Sequence, residues 1–524
     1  MSDASGASGV SGASNVSNAS GVSDWQRLSS RMLLVHPVHE VLRQLPVLVG
    51  SIVLGSATGN NAWPLAALGV TIGIGLLRWF FTTYRIDDEY VALRTGVLRR
   101  RSISVPRNRI RSVQTDSRLL HRLLGLTVLR VGTGHEARGQ AAFAIDAVEV
   151  AQVPRLRATL LAQSVSVAEQ PAGVVLARWR PSWLRYAPLS FSGLLMIGAA
   201  IGLAYQSGLG LTIGQRVAKA GTEAAHRTGV VVVVSVGAVG TVAVAVLLAV
   251  LWSWSTYGNL VLRRDTEGGS SERGSSERGS SERGSDGVLQ LRHGVLRVRE
   301  HTFDVRRLRG GTMREPLLVR ALRGARLDAV MTGVHGEGES SVLLPPCPVD
   351  TAKAVLAELI DNEEAVNGPL RSHGPAAARR RWTRALALPA LAGVGLAVTS
   401  VLVGLPIWGI WGIWALAIWV AVTVSCALLA LDRVRSLGHR VADGWLVARA
   451  GSLERRRDCI ACAGIIGWTV RQTMLQRRAG VATLIAATAA GRKHYRVTDV
   501  PAELAWSVAA DASPWVADSI WAGR

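Results

Sequence analysis

Three sets of side chains in this 524-residue sequence have types and spacings that could do chemistry: the pair Cys459 and Cys462, the pair His36 and His39, and the arginine runs Arg99-Arg100-Arg101 and Arg455-Arg456-Arg457. A Cys-x-x-Cys pair in a reducing compartment suits a dithiol redox centre or half of a zinc site. A structural zinc needs four ligands, and the other two cysteines, Cys347 and Cys426, lie far away in sequence. The pair therefore reads as small core or surface residues of a strand, and no disulfide is required. Pro37 interrupts the helical geometry that would let His36 and His39 share a metal, so they read as interfacial anchors. No metal or other cofactor is expected. The sequence also lacks a Gly-x-Ser-x-Gly elbow, a phosphate-cradling glycine loop and a His-Glu-x-x-His pair, so nothing in it supports an enzyme.

The arginines carry the remaining signal. Lys and Arg number 59 against 37 acids, a formal net charge of +22, and between Gly96 and Gly134 nine arginines face one acid, Asp116. Beside an anionic leaflet each such cation contributes on the order of 1 kcal/mol within a Debye length. Arg99, Arg100, Arg101, Arg455, Arg456 and Arg457 are accordingly the candidates for lipid-headgroup contact, the plainer reading being topology determinants on a solvated face. Nucleic acid is not indicated, because no aromatic platform, zinc finger or recognition helix accompanies the charge.

These residues must be positioned by six long apolar stretches in three close pairs: 45–58 with 62–77, 187–205 with 229–252, and 385–404 with 407–431. Most could cross a ~30 Å hydrocarbon layer as helices. Of the 59 basic residues, only Arg216, Lys219 and Arg227 fall in the connections inside the pairs. The positive-inside rule then places both termini and the soluble segments in the cytoplasm of a multi-pass cell-membrane protein. The span interiors hold no ionisable side chain, whereas a carrier usually places such groups at the midplane. A component of a transport or export system is therefore the rival reading, and it lacks a polar lumen. Gly69 and Gly73, or Gly193, Gly198 and Gly202, suit close helix approach, and Trp408, Trp411, Trp414 and Trp419 suit an interface belt or a helix contact.

Each pair is followed by a segment on the same plan. Glycines recur at Gly96, Gly294 and Gly451 and again at Gly125, Gly324 and Gly480, with separations of 29, 30 and 29 residues. Alternation such as Val91 and Leu93, or Leu289 and Leu291, predicts half-buried strands with these glycines at hairpin turns. In the second copy an upstream turn is expanded by three Ser-Ser-Glu-Arg-Gly units, an insert expected to be a flexible loop at a hairpin tip. Apolar residues at helical spacing close each copy: Leu156 and Leu160; Val355, Leu356 and Leu359; Leu504 and Val508. The expected organisation is a disordered tail over 1–24, membrane hairpins over 25–81, 178–254 and 379–432, and soluble modules over 82–168, 255–365 with the insert at 266–287, and 433–515.

Trp25, His36-Pro37, Arg78-Trp79, Tyr84, Gly96-Val97-Leu98, Val105-Pro106, Arg109-Ile110 and the Arg-Leu-Leu-Gly ending the run 119–126 resemble the bacterial pleckstrin-homology (PH) domain of YdbT-like membrane proteins. The second and third copies depart from the Val-Pro-x-x-x-Ile element, holding Asp304-Val305-Arg306 and Ile460-Ala461-Cys462 there. The resemblance implies three cytoplasmic α+β PH-like modules, each a bent seven-stranded antiparallel sheet capped by a C-terminal helix and joined to one of three hairpins of transmembrane helices, six in all. The expected function is that of a non-catalytic scaffold whose modules bind the anionic inner leaflet, protein partners or both; the resemblance implies assembly with other, similar membrane proteins, related PH-like ones included, and a part in envelope homeostasis or stress tolerance.

Overall fold

The computed structural model describes residues 112–132, 143–154, 173–190, 230–265, 287–333, 341–403 and 410–518, with shorter stretches at 81–87, 89–96 and 101–107 and isolated positions elsewhere. The tail over 1–24, most of the first hairpin, the Ser/Glu/Arg/Gly repeats, His36 and His39 lie outside the described residues. The chain divides into two units, residues 1–109 and 110–524. In the first, β1 (Gln26–Arg27), β2 (Thr83–Ile86), β3 (Tyr90–Thr95) and β4 (Arg101–Pro106) form an antiparallel sheet in that order. Val91, Leu93 and Val105 are buried on one face, as alternation predicts.

The second unit opens with β5 (Ser112–Ser117), the short helix α1 (Leu119–Leu123), β6 (Leu126–Gly132) and β7 (Phe143–Glu149). Next come β8 (Val174–Arg178), the long apolar helix α2 (Val230–Tyr257), β9 (Val261–Asp265), β10 (Val288–His293) and β11 (Val298–Asp304). The second half of that copy is β12 (Leu308–Pro316), α3 (Leu317–Ala321), β13 (Gly324–Met331), β14 (Val342–Pro348) and α4 (Val349–Ile360), followed by α5 (Glu363–Asn367). Two long helices, α6 (Gly374–Val403) and α7 (Ile410–Ser436), precede β15 (Gly438–Ala442), β16 (Trp445–Ala450) and β17 (Glu454–Ala461). The chain continues through β18 (Ile465–Arg471), α8 (Met474–Arg478), β19 (Val481–Thr488), β20 (His494–Pro501) and α9 (Ala505–Ala512).

Strands do not stay with their own copy. β5 of the first copy pairs antiparallel with β11 of the second, giving a seven-stranded sheet in the order β7-β6-β5-β11-β10-β9-β8. β12 of the second copy pairs in the same way with β17 of the third, giving β14-β13-β12-β17-β16-β15, while β18-β19-β20 stands as a three-stranded sheet. One seven-stranded sheet per module is therefore corrected: in the second and third copies the two halves enter different sheets. The apolar cores are built mainly within copies, with Val447 and Cys459 of the third joining the core of the second and Val330 of the second joining that of the third. In the second, Leu262, Leu289, Leu291 and Phe303 from the first half meet Met313, Leu327 and Leu344 from the second, under Val355, Leu356 and Leu359 of α4. In the third, Leu446, Ala448 and Ile460 meet Leu484, Ala486 and Val497 beneath Val508 and Ala509 of α9.

Each copy starts before its hairpin rather than after it. β1 pairs with β2, β8 pairs with β9, and Arg371 makes an isolated bridge with His439 in β15. A strand on either side of the apolar segment thus joins one sheet, which returns both ends of the hairpin to one place. β9 and β10 are direct ladder partners, with Val288 opposite Asp265, so the Ser/Glu/Arg/Gly insert does connect a hairpin.

Of the six expected membrane helices, the described residues support two. Segments Gly374–Leu402 and Gly412–Ser436 are long enough to cross a bilayer, with mean hydropathy 2.0 and 2.3, and only 6% of each apolar window is buried. A core helix of a soluble protein would be covered, so this exposure favours lipid as the solvent. α6 and α7 pack on each other through Trp419, whose indole nitrogen donates to the Pro389 carbonyl at 2.8 Å beside the bare Cα of Gly393. Trp419 is therefore a helix contact, whereas Trp414 faces outward. The described apolar part of α2, Val242–Tyr257, is shorter than a span.

The recurrent first glycine has a backbone cause. Gly96, Gly294 and Gly451 have φ of +113°, +102° and +107°, and a Cβ on Gly451 would strike the Glu454 carbonyl. The second recurrence holds by function rather than by residue. Gly125 and Gly480 are left-handed, but in the second copy Arg323 takes that conformation and Gly324 follows it, which accounts for the extra residue in that spacing. Gly451→Ala is expected to destabilise the third module by about 1–3 kcal/mol, read as a lower thermal midpoint in a purified chain.

Candidate membrane-facing site

The last turns of α2 and α7 end against the left-handed glycine turns. At α7, the Ser436 hydroxyl donates to the Gly451 carbonyl at 2.6 Å, and Arg449 caps the helix by donating to the carbonyls of Ser436 and Arg435 at 3.0 and 3.1 Å. At α2, the Val295 amide donates to the Ser255 carbonyl at 3.0 Å, and His293 Nδ1 lies 2.8 Å from the Thr256 carbonyl. The helix ends are thus bolted to the turns that lead into β11 and β17.

The same places receive a short helix from the preceding copy. Arg320 of α3 and Arg455 of β17 both donate to Asp432 in the last turns of α7, each at 2.8 Å, and the Leu317 amide donates to the Leu453 carbonyl at 2.7 Å. On the other seam, Arg122 of α1 donates to the Val295 carbonyl at 3.1 Å. Each seam therefore brings a glycine turn of one copy and a short helix of the preceding one to the end of a long apolar helix.

What these pieces present outward is apolar with a basic border. At the first seam Leu119, Leu123 and Leu296 are exposed, Leu123 to 82%, beside exposed Arg122. At the second, Leu318, Leu322 and Leu453 are exposed beside Arg323. α8 repeats the composition, with Met474 at 87% and Leu475 at 64% exposure beside Arg477 and Arg478. Leucines that shun water with arginines at their edge suit the boundary between headgroups and acyl chains. The Arg-Leu-Leu-Gly run had been visible only as a family mark, and exposure of its leucines depends on how the strands pair.

The arginine runs have other engagements. Arg99 and Arg100 lie outside the described residues, and Arg101 opens β4. Arg455 is held by Asp432 and, at 3.7 Å, by Glu315; Arg456 pairs with Glu454 at 2.7 Å. Arg457 is buried and donates to the carbonyls of Val366 and Gly368, the latter at 3.1 Å. Burial lowers its pKa. All three arginines of the second run therefore have partners within the protein. At the first seam Asp116 accepts from Arg297, at 2.6 Å for the Nε bond; burial opposes its charge, but Arg297, with Arg130 and Arg299 near, holds its carboxyl below the usual range.

Cys459 is buried and its thiol is pushed up to about 12 by burial, and Cys462, half-buried, to about 11. Neither is a nucleophilic thiolate at neutral pH. Among the described residues no three His, Cys, Asp or Glu side chains gather as metal ligands. The histidines, which the sequence leaves scattered, do meet in pairs. His293 stacks on His301 with centroids 5.8 Å apart, and His373 Nε2 lies 2.8 Å from His439 Nδ1. His373 Nδ1 sits 2.9 Å from the Thr498 carbonyl and must donate to it, so Nε2 accepts a proton bond from His439. This neutral pair ties the chain entering α6 to the strand that follows α7.

Two regions, residues 41–164 and 386–512, match the family model of the bacterial PH domain. The chain thus carries two bacterial PH regions, which correspond to the first and third copies and their hairpins. No curated protein matches the chain, and no solved structure does.

Burial, followed by the charge of its partner, depresses His439 to about 4, and burial also lowers His373. Both stay neutral in the fold at pH values where an unfolded histidine takes up a proton. For His439 the stabilising effect is complete above about pH 6.5 and is lost as pH falls toward 4, by up to ~1.4 kcal/mol per pH unit, and His373 acts in the same direction. Thermal midpoints measured from pH 7 to pH 5 should fall accordingly, and the slope should shrink in His439→Gln. Asp432→Ala, which strands Arg320 and Arg455, should cost about 1–3 kcal/mol by the same measurement.

Proposed function

We propose that this chain is a non-catalytic scaffold of the cell membrane. Its hairpins hold PH-like modules against the cytoplasmic leaflet, and the seams between modules rest on that leaflet through leucines bordered by arginines. The observation that carries this reading is the repeated placement of an exposed leucine cluster beside the end of an apolar helix, through the bonds of Arg122 to Val295 and of Arg320 to Asp432. The middle copy, with the same order of strands, helices and left-handed turns, is the third module of a three-module protein similar to the YdbT-like family. The reading keeps six crossings with both termini cytoplasmic, supported by the basic flanks of the apolar stretches and by pairing across each of them within one sheet or bridge.

Catalysis has no place in this reading. Transport is disfavoured by the helices that are described, because the hydroxyls of Thr399, Ser400, Thr423 and Ser425 all donate to carbonyls of their own helices and leave no polar lining. Partners are anionic lipids at the seams and other membrane proteins, PH-like ones included, on the remaining module surfaces. Envelope homeostasis or stress tolerance is the setting that the family likeness suggests.

The test uses the full chain in proteoliposomes, with an environment-sensitive fluorophore on Leu318→Cys, Leu123→Cys or, as a solvent control, Glu363→Cys. Brominated lipids should quench the two leucine positions and leave the control bright. Replacing Arg122, Arg323, Arg477 and Arg478 with Gln should weaken quenching in anionic but not neutral vesicles, each contributing on the order of 1 kcal/mol. Equal quenching at all three positions would refute the leaflet contact.

A further inference from the structure

The two seams share one register as well as one topology. Counted from the left-handed glycine of the later copy and from the start of the short helix of the earlier one, Arg299 faces Asp116 in the first seam and Arg456 faces Arg314 in the second. Both arginines lie five residues after their glycine, and both partners lie three before their helix. At the far end Phe303 faces Ser112 and Ile460 faces Gly310, again at equal counts. Each seam joins the second half of one copy to the first half of the next.

Three copies contain three first halves and three second halves, and two of each are used. Among the described strands, the edge of β18 away from β19 and the edge of β4 away from β3 take no partner. These are the equivalents of β5 and β12 on one side and of β11 and β17 on the other. An open strand edge is a row of unsatisfied amides and carbonyls, and it is ordinarily covered or blunted. β18 is flanked by the same exposed apolar short helix, α8, that borders each filled seam.

We propose that the edge of β18 binds β4 of a second copy of this chain, so that molecules associate head to tail through a third seam. The occupant is chosen by order: in both filled seams a second half takes the first half that comes next, and after the third copy the next first half is that of another molecule. Such a contact is heterologous and builds a closed ring or an open row on the membrane. The shared register sets the pairs. Ser102 faces Val470, Ile103 faces Thr469, Ser104 faces Trp468 and Val105 faces Gly467. Val105 is buried like its equivalents Phe303 and Ile460, and Pro106, which cannot donate, falls one place beyond the ladder. Arg101 faces Arg471 as Arg456 faces Arg314, a like-charged pair that the second seam already contains. This inference needs only the sheet topology and does not rest on the leaflet contact.

The experiment co-expresses two full-length chains with different tags, one carrying Ser102→Cys and the other Val470→Cys, and oxidises them in native membranes. A disulfide-linked species bearing both tags should form, at least ~10-fold above the pair Ser104→Cys with Val470→Cys, since a bridge needs Cα atoms within ~7 Å. Single variants control for the four natural cysteines. Linkage confined to one chain carrying both substitutions, or none above the off-register pair, would overturn the proposal. So would a wild-type chain that runs only as a monomer at every concentration in mild detergent.

Discussion

The antiparallel seam that joins the second half of one copy to the first half of the next, β5 to β11 and β12 to β17, organises the described structure. Its hydrogen bonds are made by backbone, and the side chains along it reinforce rather than create it: Asp116 with Arg297, Thr312 with Asp458, Arg455 with Glu315. Because the seam brings the end of a long apolar helix beside a short helix of the preceding copy, it also builds the exposed leucine clusters. At the two seams the leucines of one copy are joined by Leu296 or Leu453 from the next.

Two kinds of bonding divide the work. Apolar burial is organised mainly by copy, a pair of half-sheets closed over one helix, with Val447, Cys459 and Val330 reaching across the seam into the neighbouring core. Hydrogen-bonded sheet continuity is organised between copies. Neighbouring copies are therefore joined by continuous sheet as well as by the chain that links them. The buried histidine pair and the arginine clamp on Asp432 secure the points where long helices enter this framework.

The run Arg455-Arg456-Arg457 shows how cations consecutive in sequence can be engaged within the protein. Three consecutive arginines on a strand point to alternating faces, and at a seam both faces are occupied. Arg455 and Arg456 meet acids, while Arg457 donates to the carbonyls of Val366 in α5 and of Gly368 just after it. Exposed cations also stand singly, such as Arg122 on α1 and Arg323 in the turn after α3, where a sequence scan sees no cluster.

Strand periodicity, the recurring glycines, the hairpin carrying the Ser/Glu/Arg/Gly insert and the long apolar helices α6 and α7 were all legible in the residues. Each is a local property: alternation follows from the pleat, and a left-handed turn admits glycine because a Cβ there meets a carbonyl. The partners of the strands were not legible, because edge amides and carbonyls are the same for every residue except proline. The start of each copy before its hairpin, the meeting of His373 with His439 across 66 positions, and the gathering of Leu318, Leu322 and Leu453 into one surface were decided by tertiary structure. Sequence specified which faces are apolar and where the chain turns, and only the folded chain could specify which backbone edges meet.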